Sequence, residues 1–301
     1  MMSIFRRLRI YDRLTVGYLF LVLIFLAISP QPPAAAQRIS LVHAAAIFIV
    51  LALAHYGDRF GTLRVFHDFY PLLLFTVIFA EFTQLSTVLF PYWMEPLLIK
   101  FDYWIFGMQT QQWTATHLSP FAIEFLAFAY WSYYLLIPGT LFLVYKKNYP
   151  QELINACNQL CLTMYACYII FMLSPARGPH HAFLPANGAL LIEGGFFTNL
   201  VRDIQRFGSV HGAAFPSSHV AVAWAMFFVL QRRYRKIAWL AGILIAALTL
   251  SVITIGYHFS LDAIGGVVLA FGINAAWKDE KASTISSPYL ADLEVNQEQT
   301  G

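Results

Sequence analysis

The sequence has few charged residues and few cysteines for its length. Only 12% of its 301 residues are charged, and its three cysteines, Cys157, Cys161 and Cys167, lie in one apolar segment. This disfavours a disulfide framework, and we expect the three to be small core residues. No stretch alternates between apolar and polar residues as a half-buried strand does. The net charge of +3 is too small and too scattered to indicate nucleic-acid binding.

Apolar residues are abundant instead. They make up 59% of the chain, and the mean hydropathy is +0.61. The charges cluster between long apolar stretches, which is typical of helical membrane proteins because helices satisfy their backbone hydrogen bonds internally in lipid. We therefore predict an all-α membrane helix bundle. About eight transmembrane helices are predicted, near residues 14–28, 39–54, 70–90, 121–144, 152–173, 214–230, 237–255 and 260–277.

These segments suggest three parts of the chain. Residues 1–69 would hold two N-terminal transmembrane helices and a cytoplasmic loop. Residues 70–277 would hold the remaining six helices, and the polar residues 278–301 would be a disordered cytoplasmic tail. The first apolar segment also has features of a signal peptide, but we favour an uncleaved anchor.

The basic residues predict the orientation. With a cytoplasmic N-terminus, 14 of the 19 Lys and Arg residues fall in cytoplasmic pieces, among them the "RRYRK" stretch at 232–236. Positive residues concentrate on the cytoplasmic side of membrane proteins. The stretch "FPSSH", residues 215–219, is then predicted to face the periplasm, the cell exterior or an organelle lumen.

Polar residues lie at the start of the sixth apolar segment. In "AFPSSHVAVAW", Pro216 suits the first turn of a helix. The backbone amides of Ser217, Ser218 and His219 would then be free donors at the positive end of the helix dipole. Such a helix start favours an anion, and phosphate fits it well. By itself, however, this motif is more often an ordinary helix start.

A second polar stretch, "TIGYHFSLDAIGG", leads into the eighth segment. His258 and Asp262 are spaced i, i+4, which places them on one face if the helix begins there. A carboxylate that accepts the proton of one imidazole nitrogen leaves the other nitrogen free to attack, and His219 could protonate the leaving oxygen. Alone, the pair is more often a structural hydrogen bond. A metal site formed by His219, His258 and Asp262 is a competing interpretation, although no compact ligand motif appears.

Together, "PSSH" and "HFSLD" resemble the second and third signatures of the type 2 phosphatidic acid phosphatase superfamily, Pro-Ser-x-His and His-x-x-x-Asp. The resemblance implies a six-helix catalytic core with its site at the non-cytoplasmic ends, and no metal or organic cofactor. By position it implies that His258 is the nucleophile, that Asp262 orients it and that His219 protonates the leaving group. Ser217 and Ser218 would bind the substrate phosphate. Arg177 would match the arginine of the first signature, although "RGP" replaces Arg-Pro.

Two cations of the family pattern are absent. The first signature normally has a lysine where this chain has Ile170, and the third normally opens Ser-Arg where this chain has Ser251 and Val252. The inositol phosphorylceramide synthases and related phosphotransferases lack these cations too. The stretch "FDYWIFGMQTQQW", residues 101–113, also resembles a segment of that inositolphosphotransferase-like branch, and an interfacial aromatic belt is the alternative.

The resemblance implies a membrane-bound lipid phosphatase or phosphotransferase that acts through a phosphohistidine. Its partners would be a lipid phosphate or phospholipid substrate and the membrane lipids, and the oligomeric state is not predicted. The alternative is a non-catalytic lipid- or solute-binding transporter that keeps the fold. Four loop residues are candidates for the missing cations: His180, Arg202, Arg206 and His211. We further expect Tyr130, Tyr133 and Tyr134 to hydrogen-bond to a buried carboxyl, and Glu81 and Glu124 are the acidic residues that fall in apolar segments.

Overall fold

The computed structural model describes residues 7–29, 32–86, 88–147, 150–183, 194–208 and 210–277. Within these ranges all regular elements are helices, apart from a single bridge between Ala176 and Ala213. The all-α prediction is therefore confirmed for this part of the chain. The predicted tail, residues 278–301, lies outside the described residues.

The described helices follow one another with short connections. In chain order they are α1 (Ile10–Ile28), α2 (Ala36–Tyr56), α3 (Gly61–Leu85), α4 (Glu95–Phe106), α5 (Thr110–His117), α6 (Pro120–Lys146), α7 (Pro150–Leu173), α8 (Pro179–Ala182), α9 (Phe196–Gly208), α10 (Ser218–Arg233), α11 (Arg235–Thr254) and α12 (Ser260–Ala276). A short 3₁₀ turn, Gly57–Arg59, joins α2 to α3.

Six of the described helices are long and apolar enough to cross a membrane: α1, α2, α3, α6, α7 and α11. This agrees with an integral membrane protein. The predicted number of eight is not confirmed, because α10 has 16 residues and α12 has 17, whereas a span needs about 20. Helix α10 lies inside the bundle, and from Ser218 to Leu230 every residue except Trp224 is buried. Its apolar character thus reflects protein packing on nearly all sides.

Helix α3 begins earlier than the third apolar segment, which was placed at 70–90. It starts at Gly61 and runs through the boundary expected between residues 69 and 70. Its first turns contain His67 and Asp68, which lower the hydropathy there but are held by partners on α1. Hydropathy alone therefore set this helix start too late.

Two further helical regions were not separated by the sequence. The stretch 101–113 is divided between two helices, because α4 ends at Phe106 and α5 begins at Thr110. Gly107 has φ = 70°, a left-handed conformation that favours glycine and ends a helix. The outer loop expected at 174–213 also contains α8 and α9.

One end of the bundle collects the termini of several helices. The Ala214 amide donates to the Ala176 carbonyl at 3.0 Å, which ties the start of α10 to the end of α7. The Ser251 hydroxyl at the end of α11 donates to the Leu126 carbonyl near the start of α6. We call this the site end, because the polar residues predicted at residues 217–219 and 258–262 all lie there.

The opposite end contains a buried polar network between α1, α3 and α7. Asp12 is fully buried and accepts hydrogen bonds from His67 Nε2 at 3.1 Å and from the Tyr70 hydroxyl at 3.0 Å. Asn158 of α7 accepts from the Tyr11 amide at 2.9 Å. These bonds attach the N-terminal helices to the rest of the bundle.

Glu81 and His43 form a second buried pair in the N-terminal helices. His43 Nε2 lies 2.8 Å from a Glu81 carboxylate oxygen, and so links α2 to α3. The three cysteines of α7 are buried and free, as the sequence predicts.

Candidate active site

His258 lies in the turn between α11 and α12. Its amide and that of Tyr257 both donate to the Val252 carbonyl, at 2.8 and 3.0 Å. Gly256 has φ = 76°, and a Cβ at this position would lie 2.5 Å from the Gln111 side chain. The turn thus requires glycine both for its conformation and for its close packing. Burial lowers the pKa of His258 to about 3, so the imidazole is neutral, as a nucleophile must be.

Asp262 lies beside His258, but not in the predicted way. Helix α12 begins at Ser260, so His258 precedes the helix and only Asp262 is part of its first turn. Asp262 Oδ2 accepts the Phe259 amide at 2.8 Å and lies 3.5 Å from His258 Nδ1, longer than a good hydrogen bond. The carboxylate nevertheless faces Nδ1, which leaves Nε2 for other contacts.

His219 contacts the other nitrogen of His258. His219 Nδ1 lies 3.4 Å from His258 Nε2, and both rings are buried. On its far side, His219 Nε2 lies 3.2 Å from the Tyr130 hydroxyl. The structure therefore brings His219, His258 and Asp262 together and adds Tyr130.

Tyrosine rings surround His219. The ring centroid of Tyr133 is 4.7 Å from that of His219, and the centroid of Tyr257 is 5.2 Å away. The sequence leads us to expect a buried carboxyl as the partner of Tyr130, Tyr133 and Tyr134, but the Tyr130 hydroxyl contacts His219. Glu124 instead accepts the backbone amides of α9's first residues, including that of Thr198. The tyrosines therefore belong to the histidine site.

One assignment of protons satisfies these contacts together. His258 carries its proton on Nδ1, which faces the carboxylate of Asp262. His219 carries its proton on Nδ1 and donates toward His258 Nε2, while the Tyr130 hydroxyl donates to His219 Nε2. We assign the tautomers on this basis. His258 Nε2 then holds a lone pair at the point where the His219 proton is directed.

Ser217 caps α10 and is not within it. Its hydroxyl accepts the Val220 amide at 3.4 Å, and its own amide donates to the Asp262 carbonyl at 2.8 Å. The prediction that Pro216 lies in the first turn and that the Ser217 amide is free is therefore wrong, because the helix begins two residues after the proline. The amides of Ser218 and His219 have no hydrogen-bond partner in the described part of the chain, so they remain available to an anion.

Arg177 lies near the site end with its charge already engaged. Its Nε and its backbone amide both donate to Glu95 Oε1. Its guanidinium carbon lies 4.8 Å from the centroid of the Trp93 ring, and the side chain is 36% exposed. Its expected role in binding phosphate stays a prediction.

The positions of the two absent cations are occupied by apolar side chains. Val252 is fully buried, and its carbonyl holds the His258 turn. Of the loop candidates, Arg202 donates to Asn199 and Arg206 lies 3.9 Å from Asp203, in exposed positions on α9. His180 packs against Tyr257 with ring centroids 4.9 Å apart. Among these candidates, His180 contacts a residue that itself contacts both site histidines.

Asp102 is a site residue that we did not identify as one. Its Oδ1 accepts the Ser260 amide at 2.9 Å, and its Oδ2 accepts the Thr110 hydroxyl at 2.7 Å. Asp102 thereby anchors the first residue of α12, the helix that presents Asp262. The only sequence signal was its place in the 101–113 stretch.

The metal interpretation finds no support in the geometry. Among the described residues, no group of three or more His, Cys, Asp or Glu side chains is arranged to hold a metal ion. The arrangement of His258 between a carboxylate and a second histidine instead suits nucleophilic catalysis with proton transfer.

A model of the PAP2 superfamily matches residues 97–276, more than half of the chain. The chain belongs to the PAP2 superfamily. The match spans α4 to α12 and therefore includes Asp102, Arg177, His219, His258 and Asp262. No curated protein and no solved structure matches the chain significantly. Membership suggests a phosphatase-type function. The matched region begins at residue 97, well after residue 70, where the core was expected to start.

Proposed function

We propose that this PAP2 superfamily member is an integral membrane lipid phosphatase or phosphotransferase. It cleaves a lipid-linked phosphate ester through a phosphohistidine on His258, on the non-cytoplasmic side of the membrane. The observation that carries the proposal is the His258 ring, with Asp262 on Nδ1 and His219 at 3.4 Å from Nε2. A single imidazole thus has an orienting group on one nitrogen and a proton-transfer group beside the other.

In the first step the lone pair of His258 Nε2 attacks phosphorus. The bond between phosphorus and the lipid oxygen breaks, and that oxygen takes a proton from His219, which must then carry protons on both nitrogens. The Tyr130 hydroxyl can turn to accept from Nε2 of this doubly protonated ring. Asp262 stabilises the positive charge that His258 gains when it is phosphorylated.

In the second step the phosphohistidine is resolved by an oxygen nucleophile. His219 now accepts the proton of the acceptor hydroxyl, and the bond between phosphorus and Nε2 breaks. Water as acceptor gives a phosphatase, and an alcohol gives a phosphotransferase. We place the chain in the inositolphosphotransferase-like branch, on the absence of cations at Ile170 and Val252.

The phosphoryl group must enter between two rings that now touch. Reacting atoms in a productive complex lie roughly 3–3.5 Å apart, so phosphorus would occupy the space next to Nε2 that His219 fills. His219 therefore has to give way by the width of the phosphoryl group. The free amides of Ser218 and His219 lie at the same helix start and can bind its oxygens.

Trapping of the phosphoenzyme tests the proposal. The detergent-purified protein is mixed with a radiolabelled lipid phosphate and quenched in base, in which phosphohistidine survives. We expect label on the wild type and none on His258→Ala. Asp262→Asn should keep the fold and lower turnover, because the imidazole loses its orienting charge.

The two histidines should fail differently. His219→Ala removes the leaving-group acid, so phosphoenzyme formation should slow steeply for an alkyl phosphate and much less for a nitrophenyl phosphate. His117→Ala, an exposed histidine on α5, is the matched control and should behave as the wild type. Substantial turnover in His258→Ala would overturn the scheme, and lipid binding without any turnover in the wild type would favour the transporter alternative.

A further inference from the structure

Three histidines form a contiguous row at the site end. The ring centroids of His180 and His181 are 4.2 Å apart, and those of His181 and His211 are 4.1 Å apart in a stacked arrangement. They come from α8 and from the segment before α10, which the Ala176–Ala213 bridge holds side by side. We call His180, His181 and His211 the histidine row.

The row begins next to the proposed nucleophile. The ring of Tyr257 lies 4.9 Å from His180, 5.5 Å from His258 and 5.2 Å from His219, measured between centroids. One tyrosine ring thus contacts both the row and the two site histidines. Gly178 allows this approach, because a Cβ there would lie 2.4 Å from the Tyr257 carbonyl oxygen.

Three ring nitrogens of the row are out of contact with solvent, namely Nδ1 and Nε2 of His180 and Nε2 of His181. None of them makes a hydrogen bond of good geometry within the described ranges, and the backbone of Gly256 is the polar group that approaches His180. A buried polar atom without a partner costs about 1–3 kcal/mol, so such atoms point to a ligand that supplies the missing bonds.

The charges around the row select the kind of ligand. Burial, followed by the His181 and His258 rings, lowers the pKa of His180 to about 3. Burial, His211 and Arg177 lower the pKa of His181 to about 4. Of the described carboxylates, none forms an ion pair with the row, and Glu95 is engaged by Arg177. An anion that entered would therefore be the missing counter-charge.

We propose that the histidine row, led by His180, is the cationic wall of the phosphate site and becomes protonated when a phosphate dianion binds. This rests on the proposed function, in which the phosphoryl group sits at His258. The row thereby takes the place of the fixed cations that are absent at Ile170 and Val252. His180 differs from them in being neutral when the site is empty and charged when it is occupied.

Proton uptake on binding predicts the direction in which the affinity for the anion changes with pH. The dianion raises the pKa of His180 in the complex, so the complex binds more protons than the free protein does. Affinity must then rise as the pH falls, by about tenfold per pH unit for each proton taken up. The other titratable groups beside the row are Tyr257, His258 and Arg177.

Sulfate is the probe, because it stays a dianion from about pH 5.5 to about pH 7.5, the range in which histidine side chains usually titrate. Its binding to the detergent-purified full chain is followed by calorimetry at several pH values and in buffers of different protonation enthalpy. We expect tighter binding at the lower pH, with net proton uptake. Affinity that is flat across this range, with no proton uptake, would overturn the proposal without any variant.

Variants locate the proton. His180→Gln should weaken sulfate binding at low pH by roughly ten- to a hundredfold, because a charge-assisted hydrogen bond is lost, and should flatten the pH dependence. His180→Lys should restore binding and make it independent of pH. His117→Gln, an exposed histidine outside the row, is the control. An undiminished pH slope in folded His180→Gln and His211→Gln would assign the proton to His219 or His258 and overturn the proposal.

The two proposals can fail separately. Normal phosphoenzyme formation in His180→Gln, with unchanged sulfate affinity, would overturn the proposal for the histidine row and leave the proposed function intact. If sulfate binding depends on His180 and on pH, but the wild type forms no phosphohistidine, the anion site is supported and the proposed phosphohistidine chemistry is overturned.

Discussion

At the scale of single residues, Tyr130 determines how His219 presents its nitrogens. Its hydroxyl occupies Nε2 of His219 at 3.2 Å, which directs the other nitrogen to His258. Without this contact the imidazole can carry its proton on either nitrogen. Tyr130 is thus a positioning residue, because it contacts His219 and acts on the substrate only through it.

The variant Tyr130→Phe tests this positioning. It removes one hydrogen bond and keeps the ring, so turnover should fall by roughly three- to tenfold, the equivalent of about 0.5–1.5 kcal/mol. The loss should appear in kcat more than in KM, and it should be larger for an alkyl phosphate than for a nitrophenyl phosphate. Tyr145→Phe, at the other end of α6, should have no effect. An equal loss for both substrates would argue for a merely structural role.

The sequence predicts the site residues that stand in compact motifs. His219, His258 and Asp262 follow from "PSSH" and "HFSLD", and the structure brings them together, although nothing yet tests their catalytic roles. Tyr130 could not be predicted, because a tyrosine inside an apolar helix looks like any core aromatic residue. The histidine row was not predicted as a unit either, since His211 lies far along the chain from His180.

At the scale of secondary-structure elements, carboxylates of neighbouring helices hold helix N-termini at the site end. Asp102 of α4 accepts the Ser260 amide of α12, and Glu124 of α6 accepts the Thr198 amide of α9. The first amides of a helix lack internal acceptors, so a carboxylate there satisfies them and complements the helix dipole. The Asp102 contact fixes the residue at which α12 begins, and thereby the position of Asp262 in its first turn.

Removal of the Asp102 carboxylate should therefore affect both stability and rate. Asp102→Ala should lower the free energy of unfolding by about 1–2 kcal/mol, as loss of a helix cap does. It should also lower kcat, because Asp262 loses its fixed position. Asp102→Asn should recover part of both, since an amide oxygen can still accept the Ser260 amide. Thermal unfolding in detergent and turnover are the measurements.

Asp203→Ala is the matched control, because this carboxylate is exposed on α9. It should change neither quantity. Full activity and stability in Asp102→Ala would mean that packing alone positions α12.

The elements themselves are predictable only where they are uniformly apolar. Helix α11 is found at Arg235–Thr254, close to the predicted 237–255. The start of helix α3 was predicted too late, because His67 and Asp68 lower the hydropathy of its first turns. In the structure these polar residues are hydrogen-bonded, so the helix includes them. Helix α9 was missed because it is amphipathic and lies in a long polar stretch, where composition favours a loop.

At the scale of the whole molecule, the N-terminal helices are attached through polar contacts as well as apolar ones. Asp12 attaches α1 to α3, since it accepts from His67, Tyr70 and the Arg9 amide. Asp12 and these partners precede the region that matches the superfamily, whereas Asn158 of α7, which accepts the Tyr11 amide, lies within it. The N-terminal helices are therefore an addition that the matched core packs against.

Loss of the Asp12 carboxylate should weaken this attachment strongly. Asp12→Ala removes the acceptor of three hydrogen bonds, and removal of one partner from a buried network costs about 3–5 kcal/mol. We expect a clearly lower midpoint of thermal unfolding in detergent. Glu152→Ala is the control, because its ion pair with Arg233 is partly exposed and such pairs contribute about 0–1 kcal/mol. Equal midpoints for the two variants would contradict a central role of Asp12.

The orientation of the whole bundle decides which compartment the site faces. The basic residues predict that the site end is non-cytoplasmic, and Lys236, in the first turn of α11, is at the opposite end. Single cysteines can report this, because the three native cysteines are buried and should react little with a maleimide. His117→Cys at the site end should be labelled by a membrane-impermeant maleimide in intact cells. Lys236→Cys should be labelled only after permeabilisation. The reverse pattern would place His258 in the cytoplasm and overturn the predicted topology, while the chemistry proposed for the site would still stand.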